Sequence, residues 1–108
     1  MDKTAITSSG NELSSAFDKR FGRAAYYCIY DEAEGITKFI KNENINAPNG
    51  AGTRAVEKMI ELKVNKIISG DFGPKAKDIL SRFDIQMIVL QDDKLTIQDI
   101  IHKLKSNH

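Results

Sequence analysis

The sequence predicts a three-layer α/β domain built on a mixed sheet, and three observations carry that expectation. Two β-favouring segments stand side by side in the first half, joined by a short polar loop. In the second half, β-favouring segments alternate with stretches of helical apolar spacing. The chain has 108 residues and is 41% hydrophobic, the size and balance of one ordinary core. A single domain over residues 1–108 is therefore expected.

Lys3-Thr4-Ala5-Ile6-Thr7 alternates and stops at the turn cluster Ser8-Ser9-Gly10, which predicts the first strand. Residues 13–23 are polar around isolated Leu13, Phe17 and Phe21, an ordered excursion and not a linker. Ala25-Tyr26-Tyr27-Cys28-Ile29-Tyr30 is β-favouring, and a loop at Asp31-Glu32-Ala33-Glu34-Gly35 leads to Ile36-Thr37-Lys38-Phe39-Ile40. These two segments predict a hairpin.

Residues 42–52 hold four Asn, one Pro and two Gly, the composition of an elaborate loop. From Thr53, Val56, Met59 and Ile60 follow helical spacing until Val64-Asn65 breaks it. Lys66-Ile67-Ile68-Ser69 predicts a buried strand ending at Gly70. After Gly73-Pro74, the stripe Ala76, Ile79, Leu80, Phe83 predicts a helix with Pro74 in its first turn. Gln86-Met87-Ile88-Val89-Leu90 is the next strand. Thr96 is suited to cap a last helix carrying Ile97, Ile100, Ile101 and Leu104, before a frayed tail at Ser106-Asn107-His108. The predicted order is β-β-β-α-β-α-β-α, with parallel pairing across each β-α-β unit and antiparallel pairing in the hairpin.

Charge and cysteine content exclude several functions. Sixteen Lys+Arg against 15 Asp+Glu leave a net charge of +1, balanced between the halves, so no nucleic-acid partner is expected. The apolar runs are far short of a membrane span and residues 1–10 lack the apolar centre of a signal peptide. A cytoplasmic protein without membrane association is expected. Cys28 and the two histidines, His102 and His108, cannot by themselves make a disulfide or a Cys-rich metal site.

Ligands of such sheets gather beyond the carboxyl ends of the parallel strands. Gly50-Ala51-Gly52-Thr53-Arg54-Ala55 fits the spacing of the dinucleotide fingerprint, with Asp71 about 20 residues on. That fingerprint needs a strand running into its first glycine, and residues 44–49 with Pro48 do not make one, so no nucleotide is expected. What survives is a glycine loop bringing N–H groups to a helix start, with Arg54 beside it, a feature suited to an anion or simply to relieving backbone strain. Ser69-Gly70-Asp71-Phe72-Gly73-Pro74-Lys75 repeats the arrangement with Lys75 in the first turn. Phe17-Asp18-Lys19-Arg20-Phe21-Gly22-Arg23 sets three cations within five residues, either an anion clamp or a solvated loop anchored by Phe21. Cys28, between Tyr27 and Ile29, is expected as a small buried hydrophobe. The carboxylates of residues 31–34 and Asp92-Asp93 are expected in solvated turns, with no paired acid for catalysis.

Taken in order, residues 3–9, Phe21-Gly22-Arg23-Ala24, Gly50-Ala51-Gly52, residues 64–70, Gly73-Pro74-Lys75-Ala76 and the final β-α unit resemble the dinitrogenase iron-molybdenum cofactor biosynthesis family. That family includes the cluster carriers NifX and NafY and the C-terminal part of NifB. The resemblance covers nearly the whole chain. It implies a ribonuclease H-like fold, a five-stranded mixed sheet whose second strand runs against the others, with helices on both faces. It also implies non-catalytic binding or transfer of an iron-molybdenum or molybdenum-sulfide cluster, passed between donor and acceptor proteins; relatives include a molybdenum-copper sulfide protein outside nitrogen fixation. Carried over by position, the binding crevice comprises Arg20, Phe21, Gly22, Arg23, Gly50, Gly52, Arg54, Gly70, Gly73 and Lys75. Many members carry His directly before the Phe-Gly pair, where this chain has Arg20, which offers charge in place of a metal-ligating lone pair. Two other readings stay open: a nucleotide- or phosphate-handling enzyme using the same glycine loops, and an interaction module without cluster binding.

Overall fold

The computed structural model describes residues 2–106. Lys3–Ser8 forms β1, Tyr26–Asp31 β2 and Ile36–Lys41 β3, followed by α1 (Ala51–Glu61), β4 (Lys66–Ser69), α2 (Pro74–Arg82), β5 (Gln86–Val89) and α3 (Ile97–Ser106). This is the predicted element order. The strands lie side by side as β3-β2-β1-β4-β5. β2 is antiparallel to both its neighbours, whereas β1, β4 and β5 pair in parallel, so β2 alone runs against the rest.

Strand alternation splits the core in two. Ala5, Tyr27, Ile29 and Ile67 point to the face covered by α1 and α2, meeting Val56, Met59, Ala76 and Leu80. Their sequence neighbours Ile6, Cys28, Tyr30 and Ile68 point the other way, to Ile97, Ile100 and Ile101 of α3 and to Phe17 of the 13–23 excursion. That excursion is held by an antiparallel bridge from Phe17 to Ser8 and another from Ala16 to Thr96. Two helices above the sheet and one below give the three-layer, ribonuclease H-like arrangement.

The helix ends are local sequence decisions. α1 and α2 both stop with a residue in the left-handed region, Lys63 (φ 61°) and Asp84 (φ 57°). The next N–H, of Val64 or Ile85, then donates back to Met59 or Leu80, at 3.1 and 3.0 Å. Val64 and Ile85 are buried and start the runs into β4 and β5. At α3, the Asp99 N–H donates to the Thr96 hydroxyl (3.1 Å) and the Thr96 N–H to the Asp99 carboxylate (2.9 Å), a reciprocal cap.

One expected boundary is corrected. α1 begins at Ala51, not at Thr53, because Gly50 turns the chain with φ 74° and the buried Ala51 already joins the core. Gly52 thus lies in the first helical turn and not in the loop. β3 ends at Lys41, well before Gly50, so no strand enters the glycine pair. Of the expected frayed tail, Ser106 is instead the last residue of α3, its hydroxyl donating to the Lys103 carbonyl at 3.1 Å, and Asn107-His108 fall outside the described residues. No described helix is long and apolar enough to cross a membrane.

Candidate functional site

The parallel strands β1 and β4 end together at Ser8 and Ser69, where a crevice would open in a sheet of this order. Here the backbone of residues 18–20 covers it. The Thr7 hydroxyl donates to the Asp18 carbonyl, the Asp18 N–H donates back to the Thr7 carbonyl (3.0 Å), and the Ser69 hydroxyl donates to the Lys19 carbonyl (3.4 Å). Gly70 is required for that closure, since a Cβ there would stand 2.7 Å from the Lys19 Cα and carbonyl oxygen.

Phe21-Gly22 lies between the starts of α1 and α2. Phe21 is buried, its ring 5.2 Å from that of Phe72 and 6.2 Å from that of Tyr27. Its N–H donates to the Asp71 carboxylate (3.1 Å) on the α2 side, and its carbonyl accepts from the Tyr27 hydroxyl at 2.6 Å. Burial, with the charge of Asp18 in support, pushes the Tyr27 phenol well above its ordinary value, so it stays a donor. On the α1 side, a Cβ on Gly22 would stand 2.9 Å from the Gly52 nitrogen. Neither helix start has a side-chain cap: Gly50 and Gly73 occupy the N-cap positions. The first helical bonds are made by the Arg54 and Lys77 N–H groups. The N–H groups of Ala51, Gly52 and Thr53, and of Lys75 and Ala76, therefore have no partner inside their helices, and both dipoles present positive ends.

The cations separate into distinct roles. Exposed Arg20 is matched by Asp18, which accepts from its Nε (3.1 Å), Nη2 (3.0 Å) and backbone N–H (3.0 Å). That hydrogen bond and the Asp18 charge hold the guanidinium even more firmly protonated than usual. Lys19 reaches Asp93 at 3.6 Å. Among the described residues no carboxylate lies within 4.0 Å of the charged groups of Arg23, Arg54 or Lys75. Lys75 is exposed in the first turn of α2. Arg54 lines a groove of about 550 Å³ between β3 and α1 that includes neither Phe21, Gly22, Gly70, Gly73 nor Lys75. Its Nη1 faces the Asn44 side-chain oxygen at 3.4 Å.

Arg23 is half-buried and turned to the 42–50 loop, its Nη1 donating to the carbonyls of Ile45 (2.9 Å) and Ala47 (2.6 Å). Asn42 answers from the other side. Its amide donates to the carbonyls of Gly22 (3.0 Å) and Ala24 (2.8 Å), while its oxygen accepts from the Asn44 N–H at 3.0 Å. Asn42 and Asp18 are the site residues that sequence reasoning missed. Four asparagines in one loop carry no mark of which is buried, and Asp18 looked like one more charge in a mixed run.

The sequence matches the model of the dinitrogenase iron-molybdenum cofactor family over residues 2–107. The chain belongs to that family. No curated protein matches it significantly. Among solved structures, the apo form of the orange protein from Desulfovibrio gigas superposes with a TM-score of 0.88 at 27% identity, over 99% of this chain and 89% of that one. A NifB-like protein from Thermotoga follows with a TM-score of 0.82 at 28% identity, over 98% and 89%. PH0822, at 18% identity and a TM-score of 0.76 over 97% and 91%, shares the fold. Among the described residues no three His, Cys, Asp or Glu side chains group to hold a metal ion. Cys28 is buried in β2, its thiol pushed up to about 12 by burial. What the site offers is N–H groups and cations, which suit an anion that brings its own sulfide ligands.

Proposed function

We propose that this protein is a non-catalytic carrier of an anionic metal-sulfur cluster, an iron-molybdenum cofactor, its precursor or a related molybdenum sulfide, which it accepts from one protein and yields to another. The observation that carries this reading is the pair of uncapped helix starts on either side of Phe21-Gly22. Their unpartnered N–H groups and dipole ends attract negative charge without a covalent ligand, which permits release as well as capture. Arg23 and Lys75 add charge that no carboxylate among the described residues approaches within 4.0 Å, and family membership and the likeness to the orange protein support a cluster as the anion.

The test is an anaerobic visible-spectrum titration with tetrathiomolybdate, with metal and sulfide analysis of the purified protein. Saturable, stoichiometric binding that Lys75→Ala weakens is the expected result. Absence of binding under reducing conditions overturns the reading and favours an interaction module, to be pursued by pull-down.

A further inference from the structure

We infer that the 42–50 loop is the aiming device of the anion site: it grips Arg23 by one guanidinium nitrogen and leaves the Nε–Nη2 edge to take the anion in a bidentate contact. This rests on the carrier reading above and adds to it a specific receptor group and the element that positions it.

The argument starts from how the guanidinium is partnered. A guanidinium carries five N–H donors in a rigid fork. In Arg23, both known contacts are made by Nη1, to the Ile45 and Ala47 carbonyls, and among the described residues Nε and Nη2 have no hydrogen-bond partner. Arg20 presents the opposite case, since Asp18 occupies its Nε and Nη2 edge and cancels its charge. Of the two arginines flanking Phe21-Gly22, only Arg23 has the bidentate edge available. Carbonyls orient a guanidinium without neutralising it, so the charge is retained for a ligand.

Its position is fixed from both sides. The Gly22 backbone lies against Gly52 in the first turn of α1, which fixes the chain from which Arg23 next emerges. The loop that grips Arg23 is tied back by Asn42, whose amide holds the carbonyls of Gly22 and Ala24, the residues on either side of Arg23. Segment and loop therefore clasp each other, and a half-buried side chain is ordered before any ligand arrives. Ordering in advance lowers the entropic cost of binding. An edge of a tetrahedral thiometallate presents two sulfur atoms side by side, the pattern a guanidinium fork matches and an ammonium does not. Asn42 acts here as a positioning residue, through the loop.

Two measurements test this with tetrathiomolybdate as the probe. In a titration, Arg23→Lys retains the charge but loses the fork, and is expected to weaken binding about tenfold or more while its urea midpoint shows a folded protein; a loss under threefold overturns the inference. In the unsubstituted protein, exchange of the Asn44 and Ala47 amides, both hydrogen-bonded inside the loop, is expected to slow about tenfold on binding, because the anion holds Arg23 and Arg23 holds the loop. Unchanged or faster exchange at saturation overturns it, and this measurement decides if Arg23→Lys does not fold. If the unsubstituted protein binds no tetrathiomolybdate, the carrier reading itself falls; binding without these effects removes the aiming role alone.

Discussion

Gly22 and Gly52 touch backbone to backbone: a Cβ on Gly22 would lie 2.9 Å from the Gly52 nitrogen and 3.0 Å from its Cα. The contact joins the 21–24 segment to the start of α1, and neither partner in it is a flexible side chain that could step aside. Gly22→Ala is therefore expected to destabilise the protein by about 1–3 kcal/mol, as overpacking does, and to weaken anion binding by forcing the two segments apart. Gly52→Ala is the informative contrast, because a Cβ there meets nothing within 4 Å. In a first helical turn it is expected to be neutral or to stabilise by up to about 1 kcal/mol. Urea unfolding of both variants, beside tetrathiomolybdate titration, separates a packing glycine from one that leaves N–H groups open.

The bidentate pairing of Arg20 with Asp18 makes a prediction about charge. Removing the pair whole, as Arg20→Ala with Asp18→Asn, takes out two charges that answer each other and is expected to change binding by about twofold or less. Arg20→Ala alone leaves the largely buried Asp18 carboxylate unanswered and is expected to weaken binding more. Asp18→Asn is expected to strengthen binding, because it returns the Arg20 charge to the site while its side-chain oxygen still accepts from the Arg20 N–H. A loss in that double variant as large as the loss from Lys75→Ala would show that Asp18 yields its partner to the ligand.

Cys28 tests the electrostatics of the interior. Its thiol is raised from 9.0 to about 12 by burial. The folded protein therefore holds a proton that the unfolded chain releases above about pH 9, and stability is expected to fall as pH rises from about 9 towards 12. Cys28→Ala, or better Cys28→Val, is expected to remove the decline between about pH 9 and 10 in urea melts, while the buried Tyr27 phenol, also raised, keeps a decline above about pH 10. The native thiol is expected to resist alkylation at pH 8 and to react at full rate in denaturant.

Periodicity made the fold legible. Ile67-Ile68 and Cys28-Ile29 each send neighbouring side chains to opposite cores, and the helical stripes of α1, α2 and α3 show which faces meet them, save Phe83, which lies past the end of α2 and is exposed. The glycine pair was legible as a helix start but misplaced by two residues, since the left-handed turn at Gly50 is a backbone state that composition does not announce. The roles of the cations were not legible at all. Arg20, Arg23 and Lys75 carry the same formal charge, and only the third dimension distinguishes one matched to Asp18, one held by loop carbonyls and one exposed at a helix start. Hydrogen-bond partners between segments about 20 residues apart have no periodic signature, which is why Asn42 went unseen.

Asn42 makes a prediction whose sign depends on pH. Its amide is the donor for the carbonyls of Gly22 and Ala24, at 3.0 and 2.8 Å, and the side chain is buried. Asn42→Ala leaves both carbonyls without that partner and is expected to cost about 2–6 kcal/mol, at about 1–3 kcal/mol for each group left unpaired. Asn42→Asp conserves shape but sets a carboxylate against two carbonyl oxygens. Burial and that opposition raise its folded-state pKa above the unfolded value of about 3.9. The folded state then binds the extra proton, so this variant is expected to be most stable below about pH 4, where one O–H donor is restored, and to lose stability as pH rises through the raised pKa. The unsubstituted protein has no such carboxyl at this position and is expected to lack that decline. A urea-midpoint profile of Asn42→Asp that ran parallel to the unsubstituted protein between about pH 4 and 8 would show that the amide donors do not hold the 21–24 segment, and the clasp between Asn42 and Arg23 would have to be abandoned.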